Sequence, residues 1–319
     1  MANLISIGEI LIDLTQVGVT ELGIPKFVAN PGGAPANTAV AAAKLGADAG
    51  FIGCIGKDAF GNFLRQTLLE QGVDISGLRE TEQAPTTLAV VSVDAAGERS
   101  FQFYRKPGAD ICLEEGMLDK QQLKQAKILH FGSVSLTADP SCSATLAAAR
   151  YAKEQGALIT YDPNYRANLW PDVQTAIAAM RQPLPMVDVL KISDEETKLL
   201  SGFSDPEEAA AALEKQGISL VLVTLGPDGV LYRFQGKTGT VPGFATKVAD
   251  TNGAGDTFFG AVLSRLVGRE LDQMTQEELE DILRMANCAA SITTSRPGAI
   301  PAMPSLQEVR EKLKQEEGK

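Results

Sequence analysis

The sequence of 319 residues has little of the chemistry on which many enzymes depend. It contains a single histidine, His130, and four cysteines that lie far apart and form no C-x-x-C pair. A zinc site of the usual His/Cys type therefore has too few ligands, and a Ser–His or Cys–His catalytic pair would have to use His130. That residue stands in the β-rich run KILHFGSVSL, where we expect a buried core position. Isolated cysteines in a chain of this length favour free thiols in a reducing compartment.

Positive charge and long apolar segments are also scarce. Acidic residues outnumber basic ones by 40 to 29, which gives a formal net charge of −11. Because no Lys/Arg cluster interrupts this balance, we do not expect a nucleic-acid partner. No apolar run reaches the roughly 18 residues of a membrane span, and the apolar N-terminal stretch carries Glu9 and Asp13 without a basic flank. We therefore expect no membrane segment, no signal peptide and a cytoplasmic location.

Three common nucleotide-binding motifs are missing. The Walker A pattern GxxxxGK[ST] fails at GKT, since Leu231 stands where its first glycine should be. Gly253-x-Gly255 is followed directly by Asp256 and lies late in the chain, unlike the GxGxxG of a dinucleotide-binding unit. The glycine-rich loop, HRD and DFG of protein kinases do not occur either. These absences disfavour a Rossmann-type dinucleotide-dependent oxidoreductase, which stays as the alternative outside the kinases.

Apolar, β-branched runs alternate with helical patterns along most of the chain. LISIGEIL, DAGFIGCIG, ALITYDPN and SLVLVTLGPDG favour strands, whereas SCSATLAAARYAKEQG and ELEDILRMANCAASI favour helices. Four helical segments end in a glycine suited to the left-handed position after a helix: Gly46, Gly72, Gly156 and Gly217. The alternation predicts a three-layer α/β fold, in which helices cover both faces of a Rossmann-like, mostly parallel sheet.

Two regions interrupt this alternation. Residues 84–106 predict two strands around the turn DAAGE, and residues 14–31 have a strand-and-turn character. We interpret residues 14–31 and 84–110 as a small β lid on a single domain of residues 1–319. Such a lid would cover a site at the carboxyl ends of the sheet strands. A plain surface hairpin is an equally good interpretation of residues 84–106.

The segment DTNGAGDTFFG is the strongest candidate for a chemical site. It follows VPGFATKVAD, which we predict to be a strand, and precedes the helical pattern TFFGAVLSRLVG. The free amides and positive dipole end of a helix N-terminus attract anions, and Gly253, Ala254 and Gly255 allow an anion to approach the backbone. Asp256 is either a base beside this cradle or the N-cap of the helix. Judged alone, the cap is the more common role.

Another glycine-rich cluster, NPGGAPAN, opens an alanine-rich helix. Gly32 and Gly33 leave room for a ligand against the backbone, and Asn37 either donates to a sugar hydroxyl or caps the helix. The cluster VTLGPDGV at a strand end is by itself a turn. DPNYR and KISDEE each follow a β-rich run, which is where ligands bind in open α/β sheets. KISDEE also fits a helix start, with Ser193 as the cap and Glu196 completing a capping box.

Together these segments resemble the ribokinase-like (PfkB) carbohydrate kinases, and within them the fructokinase branch. The likeness covers nearly the whole chain through IGEILIDL, PGGAPANTAVAAAKLG, GERSFQFYRKPGAD, YDPNYRANLWPD, KISDEE, VTLGPDG, DTNGAGDTFFGA and RPGAIPAMP. YDPNYRANLW together with GGAPAN favours fructokinase. The resemblance implies a ribokinase-like fold and ATP-dependent phosphorylation of the primary hydroxyl of fructose, giving fructose 6-phosphate. A 2-keto-3-deoxygluconate kinase and a ribokinase are alternatives within the family, and a non-catalytic sugar-binding regulator is a third class.

The resemblance also implies roles for individual residues. Asp256 corresponds to the general base, and the amides of Gly253, Ala254 and Gly255 correspond to the anion hole for the transferred phosphoryl group. Sugar contacts are implied for six residues: Asp13, Gly32, Gly33, Asn37, Arg105 and Arg166. Contacts to ATP are implied for another six: Lys191, Ser193, Thr224, Gly226, Gly229 and, near the adenine, Asn287.

Ions and a second subunit are implied in the same way. Mg²⁺ is expected because it bridges the β- and γ-phosphates of ATP, and Glu196 is its protein residue. The family's N-x-x-E motif is incomplete here, since Ser193 stands in place of the asparagine. The resemblance also implies a K⁺ site in the loop carbonyls of Asp250, Asn252, Arg296 and Gly298. A homodimer through an exposed edge of the β lid is a further implication.

Overall fold

The computed structural model describes residues 2–93 and 99–317. Its strands are β1 Leu4–Ile7, β2 Leu11–Val19, β3 Pro25–Gly32, β4 Ala49–Gly56, β5 Asp74–Thr81, β6 Leu88–Val93, β7 Arg99–Tyr104, β8 Ile128–Gly132, β9 Leu158–Asp162, β10 Val189–Ser193, β11 Leu220–Thr224, β12 Val230–Phe234 and β13 Lys237–Val241. Its α-helices are α1 Ala34–Lys44, α2 Ala59–Glu70, α3 Lys120–Gln125, α4 Ser141–Glu154, α5 Val173–Arg181, α6 Thr197–Ser201, α7 Pro206–Glu214, α8 Ala254–Leu266, α9 Gln276–Thr294 and α10 Leu306–Glu317. Over these ranges no helix combines the length and the apolar character that a membrane crossing needs.

The main sheet has nine strands in the order β13-β12-β11-β10-β9-β8-β1-β4-β5. All neighbours from β11 to β5 are parallel, and β12 and β13 are added antiparallel at one end. Alternate side chains enter two cores: Leu4 packs with Leu263 of α8 on one face, and Ile5 packs with Ala148 of α4 on the other. The predicted three-layer α/β fold is therefore confirmed.

Local predictions about helix ends and the single histidine are also confirmed. Gly46, Gly72, Gly156 and Gly217 follow helical segments with φ angles of 96°, 77°, 86° and 100°, in the left-handed region that favours glycine. His130 lies buried in the middle of β8, with Nδ1 3.2 Å from the hydroxyl oxygen of Thr160. Burial lowers the pKa of His130 to about 3. A neutral imidazole in the core is the result.

A second, smaller sheet contains four strands in the order β3-β2-β6-β7. The central pair β2–β6 is parallel, and the outer pairs β2–β3 and β6–β7 are antiparallel. These strands fall mainly within the two regions interpreted as a lid, 14–31 and 84–110. The predicted turn DAAGE at 94–98 lies outside the described residues. The assignment of the chain to one domain with a lid stays a prediction.

The prediction of a strand at VPGFATKVAD is wrong. Only Val241 belongs to β13, and residues 242–250 have no regular secondary structure. Pro242 has no amide hydrogen for a sheet ladder, and Gly243 donates its amide to the carbonyl of Asp228. Beyond this point Thr246 Oγ1 and the Ala249 amide bond to carbonyls of α9. The chain therefore runs beside α9, and no strand precedes the glycine-rich loop.

Helices α1 and α8 come unusually close at Gly260. A Cβ atom on Gly260 would lie 2.6 Å from Ala41 Cβ and 2.7 Å from the Thr38 carbonyl oxygen. Real Cβ atoms do not approach other atoms so closely, so any side chain here would force the helices apart. The contact fixes the separation of α1 and α8, whose N-terminal ends lie at the same edge of the main sheet.

We expect Gly260→Ala to lower the free energy of unfolding by about 1–3 kcal/mol, the usual cost of overpacking. This loss would override the gain of about 0.5–1 kcal/mol that alanine normally brings to a helix interior. Gly116→Ala is the matched control, because a Cβ at Gly116 meets no atom within 4 Å. Chemical denaturation compares the two variants with the parent, and equal stabilities would show that the helices can separate without cost.

Candidate active site

Helix α8 begins with an open N-terminus. Its N-cap is Gly253, which adopts the left-handed conformation with φ 71° and ψ 2°, and no side chain caps the helix. Asp256 is the third residue of α8, so the alternative of an N-cap does not hold for it. The amide of Ala254 donates to the Thr251 carbonyl at 3.3 Å. First-turn amides have no partner inside a helix, which leaves those of Gly255 and Asp256 able to bind an anion.

The carboxylate of Asp256 is buried and held by two amide side chains. Its Oδ2 accepts a hydrogen bond from Asn37 Nδ2 at 2.8 Å, and its Oδ1 lies 3.5 Å from Asn164 Nδ2. Burial raises the pKa of Asp256 to about 6, and the charge of Asp162 adds to this, while the Asn37 bond and the cations Lys191 and Arg166 oppose it. A base that ionises near neutral pH is well matched to proton transfer.

A cleft enclosing about 630 Å³ of empty space, part of it open solvent, lies over Asp256. Four predicted sugar contacts, Asp13, Gly33, Asn37 and Arg166, are in its wall, as is Asn252 from the predicted K⁺ set. Walls come from β2, β7, α1, α8 and the loops beside them, so the small sheet helps to form the cleft. The full lining is Glu9, Leu11, Asp13, Gly33, Ala34, Asn37, Phe103, Val134, Asn164, Arg166, Asn252, Gly253, Asp256 and Ala299.

Asp13 faces the same space as Asp256. Burial raises the pKa of Asp13 to about 6, Arg166 lowers it, and the negative charge of Asp256 raises it further. Gly32 does not line the cleft, but a Cβ there would clash with Asp13 Oδ2. Gly33 has a φ of 107°, and its Cβ would lie 2.5 Å from the Glu9 carbonyl oxygen. Gly33 is therefore required by backbone packing against Glu9, whereas a side chain at Gly32 would displace the Asp13 carboxylate.

Arg105 lies outside the cleft lining. Its guanidinium is buried and forms an ion pair with Asp110 at 2.7 Å. It also donates to Thr137 Oγ1 and, at 3.1 Å, to the Val134 carbonyl. Because Val134 lines the cleft, Arg105 supports the cleft wall through this hydrogen bond without facing the cleft itself. The sequence could not show this, since the partner that neutralises Arg105 is a buried aspartate in the next turn.

A buried ion pair lies directly against the start of α8. Lys191 Nζ is 2.7 Å from Asp162 Oδ2, and both side chains are buried. A Cβ on Gly255 would lie 3.0 Å from Lys191 Nζ, so the ammonium group touches the anion-binding helix end. Burial alone lowers the pKa of Lys191, but the charges of Asp162, Glu196 and Asp256 outweigh it and the net shift is upward. Lys191 is therefore a cation at the site.

Glu196 is engaged in the capping box considered from the sequence. Its Oε2 accepts from the Ser193 amide at 2.8 Å and from the Ser193 hydroxyl at 3.1 Å. Its Oε1 accepts from the Tyr165 amide at 2.6 Å. In residues 2–93 and 99–317 no group of three or more His, Cys, Asp or Glu side chains could hold a metal. This donor set fits only a Mg²⁺ ion that brings phosphate oxygens as most of its ligands.

Of the predicted ATP contacts, Lys191 and Ser193 lie on β10, and the other four lie on β11, in the following turn and on α9. Thr224 Oγ1 donates to the Ile192 carbonyl at 3.3 Å, and Gly226 and Gly229 flank a tight turn with φ angles of 57° and 100°. Asn287 Nδ2 donates to the carbonyls of Val241 and Pro242 at 3.0 Å. Those two carbonyl-bearing residues line a second cleft, together with Gly243, Phe244, Ala245, Arg284 and Glu316.

Asp250 ties the loop before α8 to the loop before α10. Its Oδ1 accepts from the Asn252 amide and its Oδ2 from the Gly298 amide, each at 3.0 Å. Three of the four residues predicted for K⁺ are thus neighbours, whereas the side chain of Arg296 pairs with Glu308 at 2.6 Å.

Two polar residues of the cleft, Glu9 and Asn164, are not among the site residues that the sequence predicts. Asn164 adopts the left-handed φ of 48° directly after β9, and Glu9 follows β1. The available signal was the same for both: a polar side chain at the carboxyl end of a buried parallel strand.

Comparison with known proteins identifies the family. Residues 1–306 match the pfkB family carbohydrate kinases. Probable fructokinase-4 from Arabidopsis thaliana is 42% identical over 314 residues, 98% of this chain and 96% of that protein. A fructokinase from Xylella fastidiosa, solved with bound ATP, is 33% identical with a TM-score of 0.91, covering 99% of this chain and 100% of that one. A fructokinase double mutant from Vibrio cholerae O395, solved with fructose, ADP and potassium, is 34% identical with a TM-score of 0.86 over 97% and 98% of the two chains. With its signatures, sheet order and near full-length matches in agreement, the chain belongs to the pfkB family of carbohydrate kinases.

Proposed function

We propose that the protein is a fructokinase, which transfers the γ-phosphoryl group of ATP to the primary hydroxyl of fructose. The observation that carries this proposal is the position of Asp256, between the open N-terminus of α8 and a cleft lined by Asp13, Asn37 and Arg166. Relatives named as fructokinases support it, and one of them was solved with fructose and ADP. Membership of a kinase family argues against a dinucleotide-dependent oxidoreductase. A non-catalytic regulator would not need a buried carboxylate such as Asp256 beside the open helix end, so this alternative is also disfavoured.

On the sugar side, Asp13 and Asn37 orient hydroxyl groups so that the primary hydroxyl meets Asp256. Asp256 takes the hydroxyl proton as the oxygen attacks phosphorus, which requires the ionised carboxylate and so a pH above about 6. Asn37 holds one carboxylate oxygen at 2.8 Å and thereby fixes the direction of the base. Arg105 supports the wall through the Val134 carbonyl, and closure of the small sheet over the sugar excludes water.

On the nucleotide side, ATP supplies the phosphoryl group, and Mg²⁺ neutralises part of its charge. The first-turn amides of α8 and the Lys191 ammonium group provide positive charge where the transferred group carries negative charge. In this proposal, five residues bind the polyphosphate and the nucleoside of ATP: Ser193, Thr224, Gly226, Gly229 and Asn287. Glu196 is the protein residue for Mg²⁺. A K⁺ ion binds the carbonyls of four loop residues: Asp250, Asn252, Arg296 and Gly298. The cytoplasmic location predicted from the sequence accords with four cysteines that form no disulfide.

A 2-keto-3-deoxygluconate kinase is the second candidate, and one observation favours it. Arg166 lines the cleft, and within the described residues its guanidinium donates to the Asn164 and Tyr165 carbonyls at 3.5 and 3.2 Å, neither of which carries a charge. An arginine in such a position suits a substrate carboxylate, which fructose lacks.

Asp256→Asn should keep sugar and ATP affinity but lower kcat at least about 10²-fold, the usual contribution of a general base. In the parent, kcat/KM should fall as the pH drops below about 6, because the carboxylates of Asp256 and Asp13 become protonated together. Calorimetric binding and steady-state kinetics separate the two effects. Near-normal kcat in the variant would reduce Asp256 to a structural residue.

The sugar is tested with a panel of fructose, 2-keto-3-deoxygluconate and ribose in an assay coupled to ADP release. We expect the highest kcat/KM for fructose. Arg166→Met should then change the fructose value modestly, whereas it should lower turnover of the sugar acid strongly, since a carboxylate loses a charged partner. Turnover of another sugar without turnover of fructose would overturn the assignment.

A homodimer through the small sheet is part of the proposal. Strands β2 and β3 expose Val17, Val19, Phe27 and Val28, the turn between them exposes Ile24, and β3 is an edge strand of its sheet. An edge that pairs with the same edge of a second copy gives a closed two-fold assembly, which covers these apolar side chains.

We expect sedimentation velocity to show a dimer at micromolar concentration. Phe27→Lys should shift it towards monomer, because the charge would be buried in the interface. Phe63→Lys is the matched control, since Phe63 is equally exposed on α2, outside the small sheet. A parent that sediments as a monomer would refute the interface.

A further inference from the structure

Glu9 is a buried acid in the wall of the sugar cleft that the proposed mechanism leaves without a role. It lies in the turn between β1 and β2 and is 3% exposed. It lines the cleft together with Asp13, Asn37 and Asp256. A buried carboxyl group is costly unless its oxygens find partners, so its presence beside a ligand cleft requires a reason.

Of the two oxygens of the Glu9 carboxyl group, one has a hydrogen-bond partner among the described residues. Its Oε1 accepts a hydrogen bond at 3.1 Å from the amide of Ala34, the first residue of α1. Gly33, the N-cap of α1, has no side chain with which to do this, so Glu9 provides the cap from a different segment. Within the described residues, Glu9 Oε2 is buried and has no hydrogen-bond partner. The Ala34 bond fixes one oxygen of the carboxyl group, and the other is buried without a partner among those residues, in a residue of the cleft wall.

The charged neighbours of Glu9 do not provide that missing partner. Arg105 is bound to Asp110 at 2.7 Å and to two further acceptors. Burial raises the pKa of Glu9 to about 8, the charge of Asp110 raises it as well, and backbone hydrogen bonds and Arg105 oppose the shift. Around neutral pH the carboxyl is therefore mainly protonated, and Oε2 can carry a hydrogen for which the described residues offer no acceptor.

The rest of the cleft has an excess of acceptors. Asp13 and Asp256 offer carboxylate oxygens, and Asn37 donates one of its two amide hydrogens to Asp256 while its Oδ1 is buried without a partner among the described residues. Arg166 is the charged donor in the lining. A sugar hydroxyl can donate to such acceptors, but a ring oxygen or keto oxygen can only accept. A protonated carboxyl in the wall is a donor that suits these oxygens.

We propose that Glu9 is a further substrate-positioning residue, in which the Ala34 amide holds Oε1 and Oε2 donates a hydrogen bond to an oxygen of the bound sugar. The inference rests on the proposed sugar-kinase function and adds a donor to its recognition site. Sugar binding should then weaken at alkaline pH, where Glu9 ionises beside Asp110, with Arg105 opposing, in a cleft that also contains Asp13, Asp256 and Arg166.

The test compares Glu9→Gln and Glu9→Leu with the parent in KM for fructose and for ATP, between pH 6.5 and 9.5. In the parent, the fructose KM should rise about tenfold from pH 7 to pH 9, the change expected when only the protonated form of a group with a pKa near 8 binds. Glu9→Gln keeps an acceptor for Ala34 and a donor at every pH. Its fructose KM should stay within about threefold of the parent at pH 7 and show no alkaline rise.

Glu9→Leu removes both bonds and should raise the fructose KM about tenfold or more at pH 7, the loss of roughly 1.4 kcal/mol, with ATP KM unchanged. Glu115→Gln, on an exposed surface turn, is the matched control and should behave as the parent. An alkaline rise that persists in Glu9→Gln would overturn the role of Glu9, even if Glu9→Leu fails to fold. A parent enzyme that phosphorylates no sugar in the panel would overturn the proposed function and this inference together.

Discussion

The site depends on a contact between two helices that only a glycine allows. Gly260 brings α8 against Ala41 and the Thr38 carbonyl of α1, at a distance that has no room for a Cβ atom. One turn nearer the start of each helix, Asn37 of α1 reaches Asp256 of α8 and bonds to it at 2.8 Å across 219 residues of sequence. The direction of the base is thus a result of helix packing. A side chain at Gly260 would act on the chemistry without approaching it.

Buried acids dominate the electrostatics around this contact. Glu9, Asp13 and Asp256 all have a raised pKa, with burial as the largest cause, and two of the cations near them, Lys191 and Arg105, are paired with aspartates. A carboxyl whose pKa is higher in the folded than in the unfolded protein weakens folding as pH rises through that interval. The arrangement therefore costs stability near neutral pH. In the proposed function, the same acids serve as acceptors and as the base for a substrate rich in hydroxyl groups.

The sequence predicted those features that repeat locally or that follow a strong signature. Strand and helix periodicity gave the parallel sheet, and Gly46 and its three counterparts marked helix ends. The prediction of a strand before the glycine-rich loop is wrong. Pro242 has no amide hydrogen to donate, Gly243 bonds to the turn at Asp228, and the following residues contact α9 instead of a neighbouring strand. The partners of Arg105 and the free oxygen of Glu9 could not be predicted either. Arg105 pairs with Asp110 in the next turn but also bonds to Val134 and Thr137, which lie 29 and 32 residues further along the chain, and Glu9 bonds to Ala34, 25 residues away. No local sequence pattern indicates these contacts.

The two sides of the site differ in how they recognise a ligand. This difference explains why the sequence identifies the family of the protein more firmly than its substrate. In the proposed function, the phosphoryl side consists of the α8 amides and Lys191, which respond to negative charge and not to the shape of an acceptor. These contacts therefore do not distinguish one sugar from another. In the same proposal, the sugar side consists of Asp13, Glu9 and wall residues such as Phe103 and Val134, which come from the small sheet and strand ends. Discrimination between sugars must come from this second group, because a hydroxyl, a keto oxygen and a carboxylate differ in which donors and acceptors they satisfy.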